Sequence, residues 1–199
     1  GGEDAKIIYF SNGIDQRMNG VCAGGTGSFI DQMASLLQTD ATGLNEYAKK
    51  YDTIYPIAAR CGVFAKTDIQ PLINEGATRE DLSASIFQAV VNQTISGLAC
   101  GRRIKGNVAF LGGPLTFMSE LRKRFIETLD LKDEQVIFPD NSKYFVALGA
   151  AFMAEKCEPV QLNHILEKIS GINPAEGMAT KRVDPLFRDD NEYKEFKER

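Results

Sequence analysis

The sequence predicts a layered α/β domain, because apolar, strand-like runs alternate with segments of helical periodicity, and glycine clusters fall where the two meet. The chain has 199 residues, of which 43% are hydrophobic and 25% are charged. A chain of this size can bury roughly 70% of the surface that it exposes when unfolded. We therefore expect a compact α/β structure rather than a disordered chain.

The chain is predicted to open with a β-hairpin, a glycine loop and a helix. Residues 5–10 are strand-like, Asn12-Gly13 is typical of a tight hairpin turn, and residues 14–21 form the returning strand. The segment CAGGTGSF then leads into apolar residues spaced three and four apart, which mark one helix face: Phe29, Ile30, Met33, Leu36 and Leu37.

Three helices are predicted in the middle of the chain. The first covers about residues 45–51, and the second covers residues 59–76 with Pro71 inside it. Thr78, with Asp81 three residues later, is typical of a capping box, which begins the third and longest helix.

The remaining elements continue the alternation. Residues 107–113 (NVAFLGG) are predicted as a short buried strand, and residues 135–139 (QVIFP) as another strand. Further helices are predicted at residues 118–129, 144–155 and 162–169. We interpret the polar tail, residues 173–199, as a linker or docking segment.

Composition excludes several classes of protein. The formal net charge of −4 provides no basic surface for nucleic acid or an anionic membrane. No apolar run approaches the ~20 residues that span a bilayer, and no secretion signal opens the chain, so we expect a cytoplasmic protein. The four cysteines are too widely spaced for a disulfide scaffold and are interpreted as thiols or metal ligands: Cys22, Cys61, Cys100 and Cys157.

Three glycine clusters favour a phosphate ligand: Gly1-Gly2, Gly24-Gly25-Thr26-Gly27 and Gly112-Gly113. Backbone amides in such turns can point together at a phosphate, and the missing Cβ atoms let it approach. None of the clusters matches a P-loop or a Rossmann fingerprint. Any one cluster alone is more often an ordinary turn, and it is the presence of three that favours a phosphate ligand.

Five segments, in this order, carry a resemblance to a known family: GGEDAK, VCAGGTGSF, ARCGVFAKTDI, FLGGP and ALGAAFMA. They resemble the activators of acyl-CoA dehydratases, including that of 2-hydroxyglutaryl-CoA dehydratase, and the related ATPase subunits of benzoyl-CoA reductase. The resemblance implies a ribonuclease H-like fold of the actin, sugar kinase and heat-shock chaperone type. It assigns residues 1–157 to part of an ATPase-like domain and residues 158–199 to a C-terminal helix and polar linker.

The resemblance also implies a nucleotide site for ATP or ADP with Mg²⁺. GGED resembles the second phosphate loop, which places Gly2, Glu3 and Asp4 near the phosphates or magnesium, with Glu3 and Asp4 as the catalytic candidates. The expected nucleotide contacts in the other motifs are Gly24, Gly25, Thr26, Gly112, Gly113, Pro114 and Gly149. The family's first phosphate loop has no counterpart here, so we expect half of the ATP cleft to lie outside this chain, which by itself is expected to be inactive.

Two cysteines precede helices in matching contexts, Cys22 and Cys61. In the family that the chain resembles, the matching pair from each of two subunits, or of two ATPase-like domains, holds one [4Fe-4S] cluster, which requires four thiolates. A helix N-terminus facing the cluster would partly neutralise its negative charge. Buried free thiols and a zinc site shared in a dimer are the alternatives.

The leading hypothesis is an ATP-binding, iron–sulfur activator that couples ATP hydrolysis to low-potential electron transfer. Its implied partners are a CoA-substrate dehydratase or reductase component, a second activator-like domain and an electron donor such as ferredoxin or flavodoxin. The alternative is a non-hydrolysing docking or dimerisation module of a multidomain dehydratase-like protein. A sugar or acetate kinase is disfavoured, because it would leave the cysteine contexts unexplained.

Overall fold

The computed structural model describes residues 2–11, 13–20, 24, 26–58, 61–171 and 186–198. These residues form two compact units, Gly1–Phe152 and Met153–Arg199. The strands are β1 (Lys6–Tyr9), β2 (Asp15–Met18), β3 (Val108–Ala109) and β4 (Val136–Ile137). The α-helices are α1 (Gly27–Leu36), α2 (Ala41–Ala48), α3 (Gly62–Asn74), α4 (Arg79–Thr94), α5 (Gly113–Phe117), α6 (Ser119–Thr128), α7 (Phe145–Ala154), α8 (Leu162–Ser170) and α9 (Asp190–Glu198).

The strands form two small sheets. β1 and β2 pair antiparallel, with Lys6 opposite Met18 and Tyr9 opposite Asp15, which confirms the predicted hairpin. β3 and β4 pair in parallel over two residues each, so both predicted strands are present but shorter than their apolar runs. The prediction that the first of them is buried is wrong, because Val108 is only half-buried and Ala109 is exposed.

α4 is the centre of the first unit. It packs against α2, α6 and α1, and ten of its sixteen residues are buried. The largest fully buried side chains around it include Ile30, Met33, Leu44, Ile69, Phe87 and Leu121. Burial of side chains of this size supplies most of the free energy that stabilises such a core, about 1.5–3 kcal/mol each.

Of the capping box predicted at the start of α4, the Thr78 cap is confirmed and the return bond from Asp81 is not. The Thr78 hydroxyl accepts a hydrogen bond from the Asp81 N–H at 3.1 Å, as the pattern predicts. The Asp81 carboxylate does not complete the box; it accepts from the backbone N–H groups of Asp52 and Thr53 at 2.8 and 2.9 Å. These bonds hold the α2–α3 connection on α4 and lower the pKa of Asp81, the bond from Thr53 having the largest effect.

Two other predicted helices have different boundaries. α2 begins four residues earlier than predicted, because the Asp40 side chain accepts from the Gly43 N–H at 2.7 Å and caps the helix there. α3 runs through Pro71, whose ring lies on the exposed side of the helix. The longest helix continues as predicted beyond α4 in a π-helical turn, Ile95–Ala99, and ends at Cys100 in a left-handed conformation.

The hairpin is fixed to this π-helical end by two arginines. The Arg17 guanidinium donates to the carbonyl of Ala99 at 2.8 Å. Arg102 donates to the Asp15 carboxylate at 2.7 Å and lies 3.9 Å from the centre of the Tyr9 ring. Arg17, which sequence analysis did not single out, is therefore the cation that meets the helix C-terminus.

α7 has no buried residue, although its sequence FVALGAAFMA is entirely apolar. In the second unit, Phe187 stacks against Tyr193 and Phe196 of α9, with ring centres 5.2 and 5.3 Å apart. α9 was not predicted and forms within the polar tail. Among the described helices, none has the length and apolar character needed to cross a membrane.

Candidate functional site

A cleft of about 390 Å³ in the first unit brings together parts of all three glycine clusters. Gly2 comes from the first cluster, Gly27 from the second, and Gly113 with Pro114 from the third. Gly2 and Pro114 are 112 residues apart in sequence, so the convergence of these segments is a property of the fold. The remaining lining residues are Asp31, Ala41, Thr42, Phe117 and Met118.

At the glycine end of the cleft, Gly2 lies directly against the start of α1. The Ser28 N–H donates to the Gly2 carbonyl at 2.7 Å, which pairs one of the free N–H groups of the helix N-terminus. A Cβ atom on Gly27 would lie 3.0 Å from the Gly2 carbonyl oxygen and 3.1 Å from its Cα. Glycine at position 27 is therefore what allows the two segments to approach.

The Gly112-Gly113-Pro114 turn, which contributes Gly113 and Pro114 to the cleft, is held by the hydroxyls of half-buried Thr116 and buried Ser142. Gly112 adopts a φ of +94°, which favours glycine, and its N–H donates to the Ser142 carbonyl at 3.0 Å. The Thr116 hydroxyl donates to the Gly112 carbonyl at 2.7 Å and lies 2.7 Å from the Ser142 hydroxyl. Since Thr116 has one hydroxyl proton, Ser142 is the donor in that second bond.

The other predicted nucleotide contacts do not line the cleft. Gly24 and Thr26 are buried, and Thr26 is the N-cap of α1. Glu3 and Asp4 are exposed, and the Asp4 carboxylate pairs with Lys6 at 3.0 Å. Gly149 lies on α7 with open space around it. Gly1 and Gly25 lie outside the described residues.

Sequence reasoning missed the side chains of the cleft. Asp31 lies four residues after Gly27 and therefore shares its helix face, a signal that could have identified it. Thr42, Phe117 and Met118 gave no such signal, because their position depends on how α2 and α5 pack.

Cys61 is the N-cap residue of α3 and carries a free thiol. It is partly exposed, has extended backbone angles and makes no side-chain cap bond. The Ala58 N–H donates to the Asp68 carboxylate at 2.6 Å, so α3 anchors the segment that precedes Cys61. The next residues, Val63 and Phe64, are 71% and 59% exposed, an unusual degree for two adjacent apolar side chains.

Cys61 also lies beside α1, the helix that follows Cys22. A Cβ on Gly62 would lie 2.6 Å from the Gln32 side-chain oxygen and 3.8 Å from Met33 Cε. Cys22 itself lies outside the described residues. Within the ranges given above, no three His, Cys, Asp or Glu side chains are grouped as a metal site.

Cys100 and Cys157 are exposed free thiols. Cys100 Sγ lies 3.3 Å from the Gly97 carbonyl, and Cys157 Sγ lies 3.4 Å from that of Met153. His164 is exposed on α8.

Proteins with similar sequences include two dehydratase activators. The 2-hydroxyisocaproyl-CoA dehydratase activator of Clostridioides difficile is 31% identical over 157 residues, which cover 77% of this chain and 57% of the relative. The (R)-2-hydroxyglutaryl-CoA dehydratase activating ATPase of Acidaminococcus fermentans is 35% identical over 115 residues, which cover 57% of this chain and 44% of the relative. The chain thus spans about half the length of these curated relatives.

Two solved structures have a similar fold. Component A of the A. fermentans (R)-2-hydroxyglutaryl-CoA dehydratase aligns with a TM-score of 0.67 and 32% identity, covering 75% of this chain and 57% of that chain. The C. difficile 2-hydroxyisocaproyl-CoA dehydratase activator with bound ADPNP aligns with a TM-score of 0.62 and 23% identity, covering 80% and 62%. The predicted fold type, that of the actin, sugar kinase and heat-shock chaperone ATPases, is confirmed.

The family model described as the BadF/BadG/BcrA/BcrD ATPase family matches residues 1–154, which is most of the chain and all of the cleft. The chain belongs to the BadF/BadG/BcrA/BcrD ATPase family.

Proposed function

We propose that this chain is part of an ATP-dependent activator of a 2-hydroxyacyl-CoA dehydratase or a related CoA-substrate enzyme. The observation that carries the proposal is the cleft in which Gly2, Gly27 and Gly113 meet. Membership of an ATPase family and relatives named as dehydratase activators support it.

In this proposal the nucleotide phosphates lie at the glycine end of the cleft. Gly2, which lines the cleft, faces the phosphates. Gly24, Gly25 and Thr26 are proposed as further contacts from their motif alone, and Glu3 and Asp4 are the catalytic candidates. Magnesium binds mainly through phosphate oxygens and water, as its octahedral preference requires, so exposed carboxylates at this end can contact it through water.

The part of the cleft formed by Gly113 and Pro114 would receive the adenosine. Gly112, Gly113 and Pro114 form a turn whose conformation is fixed by Thr116 and Ser142 before any ligand arrives. Preorganisation of this kind reduces the entropy lost on binding. Gly149 is proposed at the same pocket from its motif alone.

Cys22 and Cys61 are the proposed ligands of a [4Fe-4S] cluster shared between two activator subunits or domains. Cys61 fits such a role, because its thiol is free, partly exposed and placed at a helix N-terminus. One chain supplies two thiolates, so the set is completed only by a second copy. When bound, the cluster would supply one-electron transfer.

The exposed side chains of Val63 and Phe64 support a second copy at this position. They follow Cys61 by two and three residues on the first turn of α3 and would be buried by a two-fold contact around the thiols. Electrons would arrive from a ferredoxin or flavodoxin in the cytoplasm and leave to the dehydratase component. ATP hydrolysis would change the position of α1 and α3, which meet at Gln32 and Gly62.

Anaerobic iron–sulfur reconstitution of the full-length protein tests the cluster. We expect about four irons per pair of chains, with the visible absorption and electron paramagnetic resonance of a [4Fe-4S] centre. The double variant Cys22→Ser/Cys61→Ser should lose both. The matched control, Cys100→Ser/Cys157→Ser, removes two exposed thiols and should retain them.

Nucleotide binding separates the proposal from its alternative, a non-hydrolysing docking module. The activator should bind Mg-ATP and hydrolyse it, and it should transfer electrons only when the cysteine pair is intact. Absence of iron together with absence of hydrolysis would leave docking or dimerisation as the better account.

A further inference from the structure

The α2–α3 connection, which leads to Cys61, has no helix or strand between residues 51 and 58. Its backbone N–H groups donate instead to side chains of the two helices that it borders. On α4, Asp81 accepts the two bonds described above, and the Ser85 hydroxyl accepts from the Tyr55 N–H at 2.8 Å. Backbone groups that have such partners hold a segment in place without a helix or a sheet. The connection is therefore fixed to the central helix as far as Tyr55.

Closer to Cys61, the connection is held by α3 itself. The Ala58 N–H, three residues before Cys61, donates to the Asp68 carboxylate at 2.6 Å. Helical side chains lean toward the N-terminus, so half-buried Asp68 reaches back to the segment that enters the helix. The fully buried side chains of Ala65 and Ile69 fix the rotation of α3 about its axis. The position of Cys61 on the helix therefore depends on the bond between Asp68 and Ala58.

The Cys61 side chain does not take part in holding its own loop. Cys61 is the N-cap residue of α3 but makes no side-chain cap bond. Its carbonyl accepts the first helical bond, from the Ala65 N–H at 3.1 Å. The thiol is thus available to a metal, while its placement is left to neighbouring groups. Loss of the groups that orient a metal ligand typically lowers metal affinity by about 10–100-fold.

We propose that Asp68 is a positioning residue for Cys61, because its bond to Ala58 fixes the loop that presents the thiol to the cluster. The inference rests on the proposed function, since it requires a cluster at Cys61. Asp68 acts through the backbone and does not touch iron. What this role requires is an acceptor oxygen, so an asparagine at this position should replace the aspartate, whereas an alanine should not.

The first test measures how fast a ferrous-iron chelator removes iron from the reconstituted, full-length protein under anaerobic conditions. Asp68→Ala should release iron faster than the wild type by about tenfold or more. Asp68→Asn should release it at close to the wild-type rate. The matched control is Ser85→Ala, which removes the acceptor of the Tyr55 N–H, six residues before Cys61. It loosens the same connection at a greater distance and should keep the wild-type rate.

The second test does not depend on iron. Hydrogen exchange of the iron-free, full-length protein, followed by mass spectrometry over residues 55–61, should be faster in Asp68→Ala than in the wild type and in Asp68→Asn. Circular dichroism of each variant checks that the helices are retained.

Three results would overturn the inference and leave the cluster intact. They are equal iron release from Asp68→Ala and the wild type, a loss in Asp68→Asn as large as in Asp68→Ala, and an equally large loss in Ser85→Ala. The asparagine comparison remains decisive even if the alanine variant does not fold. Absence of iron from the reconstituted wild type would overturn the proposed cluster and this inference together.

Discussion

The α4 core and the glycine cleft lie in the same unit but differ in how far their residues are buried. In α4, serine and alanine are interspersed with large apolar side chains, and ten of the sixteen residues are buried. The cleft is instead lined by glycines, by the exposed carboxylate of Asp31 and by the largely exposed ring of Phe117. The difference indicates that stability and the proposed nucleotide binding depend on largely separate residues, so most substitutions should affect mainly one of the two.

The largest expected effect is on the core. Phe87 is fully buried in α4, and Phe87→Ala should lower the free energy of unfolding by about 3–5 kcal/mol, because it removes apolar contacts and leaves a cavity. Urea denaturation followed by circular dichroism measures the loss.

Phe117→Ala is the matched control, since Phe117 is 68% exposed and lines the cleft. It should change stability by less than about 1 kcal/mol and instead weaken nucleotide binding. A large loss of stability in Phe117→Ala with unchanged nucleotide affinity would remove the distinction between core and cleft.

A smaller effect is expected at Asp81, the polar anchor of α4. Asp81→Ala leaves the N–H groups of Asp52 and Thr53 without their acceptor and should cost about 2–3 kcal/mol. The pKa of Asp81 is lowered in the folded state, so its contribution is present above the unfolded pKa of about 3.9 and is lost as the pH falls through the folded pKa.

Chemical denaturation between pH 6 and pH 3 tests this sign. The wild type should lose stability below about pH 4 more steeply than Asp81→Asn, whose amide oxygen still accepts a hydrogen bond but does not titrate. Parallel profiles for the two proteins would show that the carboxylate does not contribute as the hydrogen bonds indicate.

Local patterns in the sequence predicted the core better than the cleft. The hairpin, α1 and the start of α4 follow from turn residues, a 3.6-residue period and the Thr78 cap, all of which act within a few residues. The glycine motifs likewise identified Gly2, Gly113 and Pro114. The cleft positions of Thr42 and Phe117, and the turn of the Asp81 carboxylate toward residues 52 and 53, depend on contacts between distant segments. No local pattern contains that information.

The hydroxyl pair behind the glycine turn should have an intermediate effect. Thr116→Val keeps the shape of the side chain but removes its hydrogen bonds to Gly112 and to the buried hydroxyl of Ser142. The change should lower the free energy of unfolding by about 1–2 kcal/mol. Because the turn loses its support, nucleotide affinity should fall as well.

The control for this change is Thr67→Val. The Thr67 hydroxyl donates to the Val63 carbonyl at 3.0 Å in the same local manner, but on the exposed surface of α3. Thr67→Val should lower the free energy of unfolding by less than about 0.5 kcal/mol and leave nucleotide binding unchanged. Equal costs for the two variants would show that the buried bridge to Ser142 adds nothing.

The smallest effect on stability, with the clearest effect on binding, is expected at Gly27. Gly27→Ala places a Cβ 3.0 Å from the Gly2 carbonyl oxygen, so the backbone at Gly2 must move by a few tenths of an ångström. Alanine has a better helix propensity than glycine, which offsets part of the strain, and the net stability change should stay within about 1 kcal/mol. Affinity for Mg-ATP, measured by titration calorimetry, should nevertheless fall by about tenfold, since a displaced phosphate loop loses the equivalent of one hydrogen bond.

Gly20→Ala, where an added Cβ meets nothing within 4 Å, should leave both quantities unchanged. If Gly27→Ala bound nucleotide as well as the wild type, the contact between Gly2 and α1 would be a feature of the core and not of the cleft.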